Sequence, residues 1–158
     1  MPQPKRFAPT IAEFRPGRAI FVQGVVMQPL VIVDAANVVG SVPNGWWRDR
    51  LGATRRLRDA LAGLATQGLA EPPDLATPLD VVLVVEGQAS PLAEEAGPQT
   101  PAVVAAPGSG DDAVVDLVRS SAPDRRVVVV SADRGLRERV QAIGAEVVGP
   151  RALPHLHR

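Results

Sequence analysis

The sequence predicts an α/β fold in which helices pack on a mainly parallel sheet of four to five strands, and three observations predict it. Continuous β-branched runs, "LVIVD", "DVVLVVE" and "RRVVVVS", read as strands covered on both faces rather than half-exposed ones. Between them lie segments whose apolar residues recur at helical spacing. Strand and helix alternate along 158 residues, the length of a single domain, so successive strands are joined by right-handed crossovers.

Residues 1–28 form an N-terminal extension, either an extra strand at "AIFVQGVV" or a loose arm. Met27 directly precedes the first confident strand, so translation from Met1 or from Met27 would yield the same core. The domain proper spans residues 29–150. Its first strand starts at Leu30, and the Gly-, Pro- and Asn-rich "GSVPNG" marks a turn. A helix follows from Trp46 to about Thr66, with Leu51, Leu57, Leu61 and Leu64 on one face and arginines on the other. Pro72, Pro73 and Pro78 make a linker to the second strand, which ends at Glu86. Residues 87–100 read as a loop or short helix, and "PAVVAAPGSG" as a brief edge strand and a turn. "DDAVVDLVRSSA" is a helix with Asp111 or Asp112 near its N-cap and Arg119 in its last turn, both suited to the macrodipole. After the third long strand, "RGLRERVQAIG" is a helix closed by Gly144, "AEVVGP" a short last strand, and residues 151–158 a tail.

Composition removes several classes of chemistry. There is no cysteine, hence no disulfide framework and no thiolate zinc site. The two histidines, His155 and His157, fall in the terminal "LPHLHR", where fraying is the ordinary outcome. The N-terminus lacks the pattern of a signal peptide. The most apolar window, Ala19 to Val33, is broken by Gln23, Gly24, Gln28 and Pro29 and falls short of the roughly 20 residues of a membrane span. A cytoplasmic protein without membrane attachment is expected. Formal net charge is zero, yet residues 1–60 hold nine Lys/Arg against four Asp/Glu and the remainder eight against thirteen. A basic front and an acidic back suit an enzyme with a polyanionic substrate and a cation at its centre.

The acidic residues are placed where that cation would sit. Asp34, Asn37, Asp111, Asp112 and Asp133 lie at or just past strand ends, and side-by-side parallel strands carry them to one edge of the sheet. A crowd of like charges is stable there only around a cation, which points to Mg²⁺ or Mn²⁺ and to work on phosphate esters. Glu86 is a further candidate carboxylate. Asp116, one turn beyond Asp112, could act through a water. Plain alternatives exist: turn residues at Asp34 and Asp133, a helix cap at Asp111, a left-handed turn at Asn37.

These motifs resemble the NYN-domain, YacP-type branch of the PIN-like nuclease superfamily. The resemblance runs from about Leu30 to Pro150 and rests on a first strand ending in Asp34 with Asn37 three residues on, the "GSGDD" that opens a helix, and "VVSADRGLRERVQAIGAEVV". It implies a three-layer α/β/α domain and a metal-dependent ribonuclease or 5′-type nuclease. The positions matching Asp34, Asp111 or Asp112, and Asp133 would hold one or two divalent ions, and Asn37 would orient phosphate, sugar or water. Adjacent residues at a helix start point about 100° apart, so only one of Asp111 and Asp112 is expected as a primary ligand, with Asp111 favoured by register. The superfamily also leaves open a homodimer and a protein partner such as an antitoxin.

For the substrate, Trp46 and Trp47 are the only tryptophans and stand beside Arg48, Arg50 and Arg55. Aromatic rings next to guanidinium groups grip single-stranded nucleic acid, although one indole buried as a helix anchor and a solvated arginine face would look the same; one Trp buried and the other partly exposed is expected. Ser131 and Arg134 are secondary phosphate contacts. "PGSGDD" lacks the lysine and spacing of a P-loop, which leaves no support for an ATPase. Structured or single-stranded RNA is the expected substrate; a nucleoside triphosphate pyrophosphohydrolase and a noncatalytic RNA-binding module are the competing readings.

Overall fold

The structure, a computed structural model, describes residues 27–98 and 101–154. The "AIFVQGVV" segment up to Val26, and both histidines, lie outside the described residues. Five strands, β1 (Leu30–Asp34), β2 (Asp80–Val85), β3 (Ala102–Ala105), β4 (Val127–Val130) and β5 (Glu146–Val148), form one sheet in the order β3-β2-β1-β4-β5. Every pairing is parallel. The β-branched runs therefore do what their composition suggested: all five residues of β1 and all four of β4 are buried.

Alternation along β1 sorts the core into two layers. Val31 and Val33 face a layer made with α1 (Ala35–Gly40) and α2 (Arg50–Ala60), through Val38, Val39, Ala53 and Leu57. Leu30 and Ile32 face the opposite layer, made with α4 (Gly110–Ser121) and α5 (Arg134–Gln141), through Val114, Leu117, Val118, Leu136 and Val140. The result is an α/β/α sandwich. With a side-chain period of two, Asp34 continues the Leu30 and Ile32 face, and Glu86 continues that of Val82 and Val84. Both acids thus emerge toward the layer whose helices begin with Asp111 and Asp133.

Local structure departs from the sequence reading in four places. The chain does not turn after Asp34 but enters α1 directly, so Asn37 is helical rather than left-handed. The single helix expected from Trp46 to Thr66 is broken into a 3₁₀ turn (Trp46–Arg48), α2 and α3 (Leu64–Gln67). Gly45 enters the turn at φ 78°, and Asp49 restarts the helix by accepting the Gly52 N–H at 2.9 Å. Arginines do not all lie outside: Arg58 is buried beneath Asp59 and Glu95. Finally, Ser109 rather than an aspartate caps α4, its Oγ accepting from Asp112 N at 3.2 Å, and Asp111 and Asp112 occupy the first turn. Gly144 closes α5 at φ 102°, as the glycine predicted.

A candidate site at the carboxyl edge of the sheet

Strand order reverses between β1 and β4, and in open parallel sheets that switch point opens a crevice outside the carboxyl ends of the strands. Asp34 closes β1 at this point. Its side of the sheet is met by the N-termini of α4 and α5, whose dipoles favour negative charge.

Asp34 is only 4% exposed. Burial pushes its pKa up to about 6, helped by the nearby charges of Asp111 and Glu86, while the Ser131 hydroxyl and the Asn37 backbone amide pull it down. Ser131, itself fully buried, donates its hydroxyl to Asp34 Oδ2 at 3.0 Å and accepts the Asp133 N–H at 3.1 Å. One serine thereby ties the end of β1 to the entry of α5. Asn37 adds a second tie, its Oδ1 accepting the Ala132 N–H at 2.8 Å, so its amide nitrogen is chiefly what remains for other partners.

Asp111 and Asp112 diverge, as neighbours on a helix must. Burial raises the Asp111 pKa, and the charges of Asp133 and Glu86 raise it further. Asp112 instead reaches outward to Arg139 Nη2 at 2.9 Å, which lowers its pKa. Asp111 thus carries no arginine pair of its own among the described residues, while Asp112, whose charge also acts on Asp111, is paired with Arg139. Asp133 caps α5, its Oδ1 accepting from Leu136 N at 2.8 Å, so one carboxylate oxygen is committed to the helix while its charge still acts on Asp111. The cap and the charge are both real. Asp116 is exposed, pairs with Arg119 at 3.4 Å, and stands apart from the cluster.

Glu86 extends β2 by one residue, and its Oε2 accepts the Gly110 N–H at 2.7 Å. A Cβ at position 110 would lie 3.1 Å from the Glu86 carboxyl carbon, tighter than ordinary contact. The second glycine of "GSGDD" is therefore a close approach between α4 and the acid. Sequence reading missed that pairing; the matching parity of Glu86 with Val82 and Val84 was the available signal.

The aromatic and basic group is split. Trp46 is half-buried against the core, Trp47 is 57% exposed, and neither is the fully buried anchor expected. Their rings meet edge to face, 6.1 Å between centroids, and the Arg50 guanidinium lies 5.4 Å over the Trp46 ring. Arg48 is exposed. Arg55 is not available in the same way, since it forms a two-pronged pair with Glu95, one bond at 2.8 Å. Arg134, at the start of α5, is exposed and pairs with no carboxylate among the described residues.

Among the described residues no three His, Cys, Asp or Glu side chains form a ready-made metal-ligating group. The donor chemistry nonetheless fits a hard cation: the cluster is all oxygen, and Asp34 and Asp111 are each raised in pKa by burial and by neighbouring carboxylates. A divalent ion bound there would offset that repulsion. No helix of the described residues is long and apolar enough to cross a membrane.

Fold and site together define an α/β protein with an acidic cluster at the switch point of a five-stranded parallel sheet. No family model matches the sequence, and no curated protein matches it. Among solved structures, the chain is similar to a crystal structure of a mutant of Rae1 (YacP) from Bacillus subtilis. The TM-score is 0.61 and the identity 15%, with 80% of this chain and 72% of that chain covered. At this identity the likeness establishes the fold, which is the one the motif resemblance implied.

Proposed function

We propose that the protein is a metal-dependent ribonuclease that hydrolyses RNA phosphodiester bonds at the carboxyl edge of its sheet. The observation that carries this reading is Asp34, a buried carboxylate raised toward neutrality beside Asp111 and Glu86 and held in place by Ser131. A buried charge beside like charges is costly for stability alone, and its place at a switch point argues for a bound cation and a phosphate substrate.

Asp34, Asp111 and Asp133 would hold Mg²⁺ or Mn²⁺, with Glu86 as a fourth carboxylate. The bound cation supplies a Lewis acid that neutralises charge growing on the attacked phosphate. Ser131 fixes the direction of the Asp34 carboxylate. Asn37 presents its amide nitrogen beside the cluster to a phosphate or sugar oxygen, and the N-termini of α4 and α5 favour the anion. Arg48 and Arg50 bind backbone phosphates of a single strand and Trp46 and Trp47 offer stacking surface.

The test incubates the full chain with labelled single-stranded RNA and, in parallel, with nucleoside triphosphates, under Mn²⁺, Mg²⁺ or chelator. Expected is metal-dependent RNA cleavage that falls at least about a hundredfold in Asp34→Asn. Equal cleavage by that variant overturns the site, and hydrolysis of triphosphates alone makes the protein a pyrophosphohydrolase.

A further inference from the structure

Beside the acidic cluster opens a cavity of about 400 Å³ that the cluster itself does not occupy. It lies at the small end of the about 300–1,000 Å³ typical of ligand pockets, which is room for one nucleoside and not for a run of nucleotides. Ala36 and Val39 of α1, Trp46, Arg50 and Thr54 of α2, and Glu86 line it. Glu86 is the shared wall, because its charge also acts on Asp34 and Asp111.

The walls have a definite chemistry. The indole of Trp46 packs over α1, where a Cβ at Gly40 would stand 3.8 Å from it, and Trp47 braces it edge-on. Arg50 stacks on the indole, so flat aromatic and cationic surfaces face one space. Beside Arg50, the polar side chains of the wall are Thr54 and Glu86. Thr54 donates its hydroxyl to Arg50 O at 2.7 Å, and Glu86, whose Oε2 accepts the Gly110 N–H, presents carboxylate oxygens that accept hydrogen bonds. A flat ring suits the aromatic wall, and hydrogen-bond donors on it suit the oxygens of Thr54 and Glu86.

We infer that this cavity seats one unpaired nucleobase bearing an amino group, taken from a single-stranded RNA whose neighbouring phosphate lies at the acidic cluster. The placement of the phosphate rests on the nuclease reading; the base seat rests on the cavity. Stacking on Trp46 holds the ring, and Glu86 and Thr54 accept from its donors. Adenine, cytosine and guanine carry the exocyclic amino group that uracil lacks.

The chain has two tryptophans and no tyrosine, so Trp47→Phe leaves Trp46 as the sole emitter of indole fluorescence, at the cavity wall. Titration of that variant in chelator with short oligoadenylate, oligouridylate or AMP reads base binding without cleavage. Expected is saturable quenching by oligoadenylate, at least about fivefold tighter than by oligouridylate, the smallest loss when one stacked, paired base is compromised. Ala36→Leu in the same background fills the mouth and weakens binding about tenfold. Gly108→Leu does the same independently, since a Cβ there meets no heavy atom within 4 Å. Quenching that neither filling variant changes, equal response to the two oligonucleotides, or tighter binding of AMP than of oligoadenylate overturns the seat. Quenching as expected without metal-dependent cleavage sinks the nuclease reading and keeps the seat; cleavage with no response of Trp46 does the reverse.

Discussion

The two edges of the sheet treat charge in opposite ways. At the amino edge, acids are matched with arginines. Arg125, whose side chain is fully buried, holds Asp80 at the start of β2 and the Gln28 carbonyl just before β1, the latter through Nε at 2.7 Å. Arg126 binds Glu146 at the start of β5 and Asp74 at 3.1 Å. At the carboxyl edge Asp34, Glu86, Asp111 and Asp133 act on one another, and Arg139, whose charge also acts on Asp111, is hydrogen-bonded to Asp112. Paired charge fastens strands together, whereas unbalanced charge lowers the stability of the folded chain and has value only for what it binds.

The sharpest way to break the comparison is to neutralise each edge in turn. Asp34→Asn should abolish cleavage, by at least about a hundredfold, and yet raise the melting temperature in chelator at pH 7, because a buried charge has been removed while the Ser131 hydroxyl keeps an acceptor. A variant that cuts normally, or melts lower than the parent, contradicts the assignment. Arg125→Met attacks the other edge. Losing a buried guanidinium leaves the Gln28 carbonyl without its partner and releases Asp80 to solvent, for a cost of about 2 kcal/mol in urea unfolding, with kcat of the remaining folded enzyme near that of the parent.

Acidity sharpens the same contrast. The folded pKa of Asp34 is raised to about 6, so the folded state takes up its proton before the unfolded chain does. Its effect on stability is therefore most favourable below about pH 4 and is lost as pH rises to about 6, amounting to no more than about 3 kcal/mol. At the amino edge Glu146 and Asp74 have lowered pKa values because of Arg126, so their contribution is present at neutral pH and lost as pH falls. Unfolding in chelator across pH 4 to 7 should show the Asp34 slope in the parent and its disappearance in Asp34→Asn. Saturating Mn²⁺ should reverse the order of the two proteins by stabilising only the parent.

Smaller effects map the limits of the cluster. Ser131→Ala frees the Asp34 carboxylate and the Asp133 amide together, and cleavage should fall about tenfold through kcat more than KM. Asp116→Asn, on the solvent side of α4, should stay within about twofold of the parent. A large loss there would extend the site along α4, past the first turn.

Layer order and strand identity were legible because they are local properties. A run such as "VVVV", too short for a buried helix and β-branched throughout, fits a strand covered on both faces, and all five strands begin within two residues of where composition placed them. The candidate acids were legible in part for the same reason, since strand ends of a parallel sheet share an edge. The α1 helix was not: six residues with no cap side chain and no periodic pattern of their own are helical because Val38 and Val39 pack on the sheet. The break at Asp49 was likewise hidden, because the leucines that suggested one long helix, Leu51, Leu57, Leu61 and Leu64, all lie past it.

What the sequence alone determined is most of the list of parts: the strands, several of the helices between them, and acids at strand ends. Pairing decided the rest. Only the packed structure separates Asp111 from Asp112, because a rotation of about 100° per residue sends one toward Glu86 and the other to Arg139. Only packing makes Ser131 a bridge across 97 residues to Asp34, or brings Trp46 and Glu86 to the lining of one cavity. Such contacts depend on which strands are neighbours and which way alternate side chains point, and neither is written in any window of the chain short enough to read locally.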